Sequence, residues 1–323
     1  MLLSLSMGLG CDGADNDAGR VDELETMVAA QASTIADLSA RLAVLETAGF
    51  VTDAEIASRM AVVDDLAEVA KLAPFLTVEG TEIVVAGANV NVVSGSGATD
   101  ADPNGLGNLV VGYNELDDEQ PRTGSHNVVV GPFHAYSSYG GLLAGSRNSL
   151  SAPHASITGG DHSVASEPHS SVSGGHYNVA SGEYAWVGGG PYNTASGAYS
   201  VVAGGFRNSA SGLSSVVSGG FEGQATAEAS VVSAGYQNIA GGLYSAVSGG
   251  ERNDALGQES AICGGSANTA TADSATVSGG YMNDAVGGAS SILGGYNNTA
   301  SGYWSSVVGG QNQSVDQDYQ YGP

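Results

Sequence analysis

A fifteen-residue period constrains this chain more than any other feature. Paired glycines begin at Gly159, Gly174, Gly189, Gly204, Gly219, Gly249, Gly264, Gly279, Gly294 and Gly309, with Ala234 in the one gap. A second column is β-branched throughout: Val172, Val187, Val202, Val217, Val232, Val247, Ile262, Val277, Ile292 and Val307. A third is amide: Asn178, Asn193, Asn208, Asn238, Asn253, Asn268, Asn283 and Asn298, followed two residues on by an alanine column running from Ala180 to Ala300. The consensus GGxxNxAxGxxSxVx marks a repeat architecture.

Within that unit, S-x-V-x-G and N-x-A-x-G are two short runs of period two, the alternation of a strand, each followed by a glycine where the chain turns. Two strands per coil follow. Fifteen residues are too few for three-sided coils, and the glycines and β-branched column exclude a helical repeat. The fold expected is mainly β, a parallel β-solenoid flattened into a two-sided roll of about fifteen-residue coils. Val, Ala and Ser point inward and stack on their counterparts ~4.8 Å away. The asparagines are expected either in left-handed turns or as an amide ladder between coils, both structural roles. Degenerate coils ending at Gly112, Gly131 and Gly145 precede the regular ones, with ELDDEQPRTG inserted between the first two. The roll is therefore expected over 105–315, fourteen coils or roughly 65 Å, with a tail at 316–323.

Ahead of it, apolar residues fall on a seven-residue frame. Val21, Val28, Ile35 and Leu42 hold one core position, and Leu24, Leu38 and Leu45 the other, with the polar Gln31 also in the frame. Such spacing predicts a coiled coil, and a polar core residue fixes register or strand number. Counting on in sevens past Gly49-Phe50 gives Ile56, Val63, Leu66 and Ala70, with Arg59 a misfit, so one α-helical stalk with a joint is expected over 21–73. Thr52-Asp53-Ala54-Glu55 has capping-box spacing for the second helix, and Pro74 ends it. Residues 74–104 form an entry β segment. A lone helix of this kind would leave Leu and Ile in water, so self-association is expected.

Residues 1–20 resemble an export signal: an apolar run, MLLSLSMGLG, leads into Cys11 and an acidic stretch, which makes Cys11 a candidate for lipidation. The other cysteine, Cys263, is expected to be a small buried residue, so no disulfide framework is indicated. The formal charge of −25 and the single lysine, Lys71, argue against a nucleic-acid partner. No stretch approaches the ~20 apolar residues of a membrane-spanning helix.

Few residues suggest chemistry. His126, His134, His154, His162, His169 and His176 lie in the early coils. The last three are seven apart in a fifteen-residue period, so they share no column, and they are read as surface histidines with no metal. Phe206, Phe221, Tyr236, Tyr281 and Tyr296 share the column after the double glycine, a possible aromatic edge interrupted by Glu251 and Ser266. No nucleophile motif, phosphate loop or cofactor fingerprint emerges, so no enzyme and no cofactor are expected.

SGYWSSVVGG and NTASGAYSVVAGG, with the asparagine column and a coiled coil, resemble the YadA-like heads of trimeric autotransporter adhesins. The likeness covers about two-thirds of the chain, with fifteen residues where that family usually has fourteen. It implies a left-handed parallel β-roll and a homotrimer. It does not carry over that family's C-terminal membrane barrel, and head after stalk reverses the usual order. Attachment is therefore expected through a lipid on Cys11, or else simple secretion. The function expected is a cell-surface or secreted bacterial adhesin or spacer binding cell-surface, matrix or glycan ligands. A phage-type trimeric fibre and a polysaccharide-acting solenoid enzyme are the alternatives. An ice-binding face is disfavoured because the column between Ser and Val (Ser171, Trp186, Val201, Ala246) is too irregular.

Overall fold

A computed structural model describes residues 17–47, 54, 57, 58, 60, 61, 71–116 and 120–322, with the helical side chains described over 21–44. Two compact units divide at Val90. The first holds a helix, α1 (Asp17–Thr47), and a hairpin of β1 (Leu76–Glu79) and β2 (Glu82–Val85). Gly80 turns the hairpin at a φ of 63°, a value glycine adopts without steric cost. Along α1 the heptad residues Val21, Leu24, Val28, Ile35 and Leu38 leave 48–63% of their surface exposed. The expected second stalk helix and the joint at Gly49-Phe50 lie largely outside the described residues.

The second unit is a parallel β-solenoid of about 14 turns. Its S-x-V halves stack into a fifteen-stranded sheet running from Leu109–Val111 to Tyr321–Gly322. Its N-x-A halves stack into a thirteen-stranded sheet from Ala135–Tyr136 to Ser314–Val315. Register follows the sequence period: Val172 pairs with Val187, and Ala180 with Ala195. A third, single-residue ladder runs through the column after the double glycine, where Phe206 bridges Phe221 and Tyr281 bridges Tyr296. The roll thus has two sheets and a narrow third seam, beyond the two sides expected.

The core is the pair of columns between the sheets. Every residue from Val172 to Val307 in the β-branched column, and from Ala180 to Ala300 in the alanine column, is buried. The same columns continue into the irregular early coils, through Val129, Leu143 and Ile157 on one side and the bulkier Tyr136 and Leu150 in place of alanine on the other. Fully burying a valine is worth about 2 kcal/mol, while fixing the backbone of one fifteen-residue coil costs about 15–30 kcal/mol. No coil can stand alone, and stability comes from the interface each coil makes with the next.

Period-two alternation also corrects one expectation. Ile262 points inward, so its neighbour Cys263 points out, and Cys263 is exposed with a free thiol rather than buried.

The corners are the part of the fold least like ordinary protein backbone. Each regular coil carries a glycine and two further residues in the left-handed region, for example Gly190 (φ 77°), Tyr192 (φ 61°) and Tyr199 (φ 58°). For a non-glycine residue that conformation costs roughly 1–2 kcal/mol. The hydrogen bonds explain it. Strand amides such as Ser171 N–H donate forward to the next coil, at Ala185 O (2.8 Å), whereas Tyr199 N–H at the corner donates back to Glu183 O (2.8 Å). The corner conformation turns the amide around, so the turn is bonded to the coil behind it.

Candidate functional site: a buried amide ladder and two ringed edges

The asparagine column is a ladder, which decides between the two expected roles. None of these asparagines has a positive φ, and all are buried. In Asn208 the backbone N–H donates to Asn193 Oδ1 (3.0 Å), while its own Oδ1 accepts the N–H of Gly223 (2.8 Å). Its Nδ2 donates to Gly204 O (2.8 Å) and Gly220 O (3.1 Å). One side chain therefore satisfies the glycine turn of its own coil, the turn of the next, and the amide of the next rung. Asn253, Asn268, Asn283 and Asn298 repeat the arrangement, and Gln313 follows at the far end.

Three members of this column were missed in the sequence because they are early or differ in type: His134, Asn148 and Ser163. Asn148 N–H donates to His134 Nδ1 (3.2 Å), Ser163 N–H to Asn148 Oδ1 (2.8 Å), and Asn178 N–H to Ser163 Oγ (3.4 Å). His134 is fully buried, and its Nε2 lies 3.1 Å from Val130 O. An acceptor Nδ1 and a donor Nε2 define a neutral imidazole. Burial, reinforced by the Arg122 charge, holds its pKa below the ordinary histidine value.

Ring systems line both turns. At the double-glycine turn, Phe206 stacks on Phe221 (5.0 Å between centroids) and Phe221 on Tyr236 (5.1 Å), and Tyr281 stacks on Tyr296 (5.6 Å). These are the five residues singled out in the sequence, in two runs separated by Glu251 and Ser266. Arg207 and Arg252 place guanidinium groups over Phe206 (4.9 Å) and Tyr236 (5.6 Å).

A second ringed edge lies at the other turn. His154, His169, Tyr184 and Tyr199 stack in one column at 5.2, 4.7 and 5.2 Å, with Tyr139 edge-on to His154. Tyr184 and Tyr199 are 45% and 55% exposed. The fifteen-residue spacing of His154 and His169 was the available signal. Further along the same edge, small residues at Ser274, Gly288 and Ala289 leave an open notch of about 540 Å³ beside Tyr303 and Trp304, with Asp273 on its rim. A Cβ on Gly288 would meet the Tyr303 ring at 2.7 Å, so a side chain there would displace the ring from its seat.

His162 and His176 lie part-exposed at the surface and in different columns, as their seven-residue spacing from His169 implied. His162 and His176, fourteen apart, meet across neighbouring coils at Asp161, and these three form a potential metal-ligand cluster among the described residues. Asp161 has its carboxyl held below the usual range, chiefly by the hydrogen bond from His162. Cys11 lies outside the described residues. No protein-family model and no curated protein matches the chain. No helix among the described residues is long and apolar enough to cross a membrane.

Over the middle coils the two sheets present unlike outer faces. The outward column of the S-x-V sheet is apolar at Trp186, Val201, Val216, Val231, Ala246 and Ala261, with Ser156 and Ser171 before this stretch and Thr276, Ser291 and Ser306 after it; that of the N-x-A sheet starts at Val164 and Val179 and continues Thr194, Ser209, Gln224, Ile239, Asp254 and Thr269. Partial burial raises the Asp254 carboxyl above its usual value.

Proposed function

We propose that this protein is a non-catalytic attachment or spacing protein of the bacterial cell surface or exterior, working as a homotrimer. The observation that carries the reading is the pair of ringed edges. A solenoid cannot rearrange its columns independently, so the rings of Tyr184 and Tyr199, and of Tyr281 and Tyr296, stand at a fixed spacing of one strand. Stacked on one another, these rings turn their edges and hydroxyl groups outward in register, which suits repeated hydrogen bonds to an extended glycan or surface ligand, and the Tyr303–Trp304 notch adds a recess lined by two further rings.

The trimer rests on two supports. The apolar face from Trp186 to Ala261 contrasts with the polar face opposite, and covering it with two sister chains removes that surface from water. The heptad frame along α1, with its exposed Val, Leu and Ile, fits a three-stranded stalk. A left-handed roll and a YadA-like head go with this reading, as does a lipid on Cys11 holding the protein at the membrane.

Binding of the purified full chain to a glycan array and to matrix proteins tests it. Ligand binding is expected to fall at least tenfold in Tyr184→Ala/Tyr199→Ala or in Trp304→Ala, with the circular dichroism spectrum unchanged. A wild-type trimer with no ligand reduces the function to spacing. A monomer that degrades polysaccharide overturns it.

A further inference from the structure

We propose that Asp161, His162 and His176 form a binding site for one zinc-like divalent transition-metal ion per chain, with at least one coordination position left for water or an outside ligand. The inference does not rest on the attachment reading.

The site is made by the fold, since the spacing of its members puts them in two columns. Asp161 occupies the seam column after Gly159-Gly160, and His176 is its partner one coil on, joined to it by a parallel bridge. His162 follows Asp161 and sits in the left-handed corner conformation at a φ of 53°, which turns its ring back over the seam. His162 Nδ1 lies 2.7 Å from Asp161 Oδ2, and His176 Nδ1 lies 3.3 Å from the same oxygen. The three ligand atoms all fall within 4.8 Å of one another. Metal–ligand bonds of ~2.1 Å at tetrahedral angles set ligand atoms ~3.4 Å apart, so small rotations of these half-exposed side chains suffice.

Both imidazoles are steadied by one residue. Tyr177 stacks on His162 (4.6 Å, 26° between planes) and meets His176 edge to face (4.2 Å, 74°). Asp161 is steadied as well: Arg147 Nη1 lies 4.0 Å from Oδ1, leaving Oδ2 toward the histidines. Two imidazoles and a carboxylate are the donor set of zinc, copper and nickel rather than of calcium or magnesium, which take oxygen ligands. The competing account is two plain hydrogen bonds from the imidazoles to a shared carboxylate. It needs no metal, and it predicts no selective uptake.

Isothermal titration of the tag-free full chain with zinc chloride, in excess magnesium, separates the two accounts. One zinc per chain is expected. His176→Ala and Asp161→Asn should each weaken binding at least ~10-fold, the lower end of what even supporting residues contribute. His169→Ala, on the other edge, should leave binding unchanged. Cobalt should give visible absorption bands in the wild type and lose them in His162→Ala. Wild-type uptake no greater than that of a His162→Ala/His176→Ala variant, or uptake abolished by magnesium, overturns the proposal, because either outcome means plain hydrogen bonds or diffuse attraction to an acidic chain.

Discussion

The backbone N–H of Asn193 donates to Oδ1 of Asn178, one coil earlier, at 2.8 Å. That single bond ties a side chain to the main chain of the following rung, and it recurs from coil to coil until Gly223, which has no side chain to offer, and again from Asn238 onward. Asn268 does the same for Asn283 while its Nδ2 donates to Gly264 O and Gly280 O.

Asn268→Ala removes the partner of the buried Asn283 N–H and of the part-buried Gly264 O, while Gly280 O keeps the N–H of Ser266 at 2.9 Å. At about 1–3 kcal/mol for a buried group left unsatisfied, the variant should lose about 2 kcal/mol or more in chemical denaturation, and hydrogen exchange at the Asn283 amide should accelerate. Unchanged exchange at that amide would show that the ladder contributes nothing.

The two glycines of each pair should behave oppositely. A Cβ on Gly219 meets nothing within 4 Å, whereas one on Gly220 would lie 2.5 Å from Gly235 O, at a φ of 98°. Gly219→Ala should be neutral within about 0.5 kcal/mol, as Ala234 in the same column suggests. Gly220→Ala should destabilise strongly. Equal thermal midpoints for the two variants would contradict the corner geometry.

His134 should make the early coils acid-sensitive. Its folded pKa is lowered, foremost by burial, so it stays neutral in the fold while the unfolded chain titrates near 6.5. Stability is therefore full above pH ~6.5 and declines as pH falls toward the folded value, by at most about 1.4 kcal/mol per pH unit. Denaturation midpoints between pH 7.5 and 5.5 should shift less in His134→Asn than in the wild type. An equal shift in both would assign the acid sensitivity elsewhere.

Val216→Glu places a charge on the apolar outer face, and Thr269→Glu places one on the polar face. In sedimentation at equal concentration, only the first should dissociate a trimer. Dissociation by both, or by neither, would move the interface elsewhere.

Much of this was readable from the period alone. Val172 and Ala180 announced the core because their columns never admit a polar residue, and parallel stacking copies each inward residue onto the next. The corners were not legible. Tyr199 and Trp304 adopt a backbone conformation that their types disfavour, imposed by the amide turned toward the preceding coil, and no local preference signals it. His134 was hidden because it serves in a column of asparagines by offering a ring nitrogen where they offer an oxygen. Asp161 and His176 meet through coil stacking, while His162 joins them from the neighbouring corner column, a relation that counting within one column overlooks.

Uniform rungs carry no address. A folding chain that skipped fifteen residues would recover nearly every valine, alanine and amide contact, with one coil looped out. Gly223 supplies no side chain to the amide column, His134 substitutes a ring, and Trp186 interrupts the small outward residues, so these irregular rungs penalise an out-of-step alignment. Imperfections in the repeat act as the marks by which the rod keeps count of its own length.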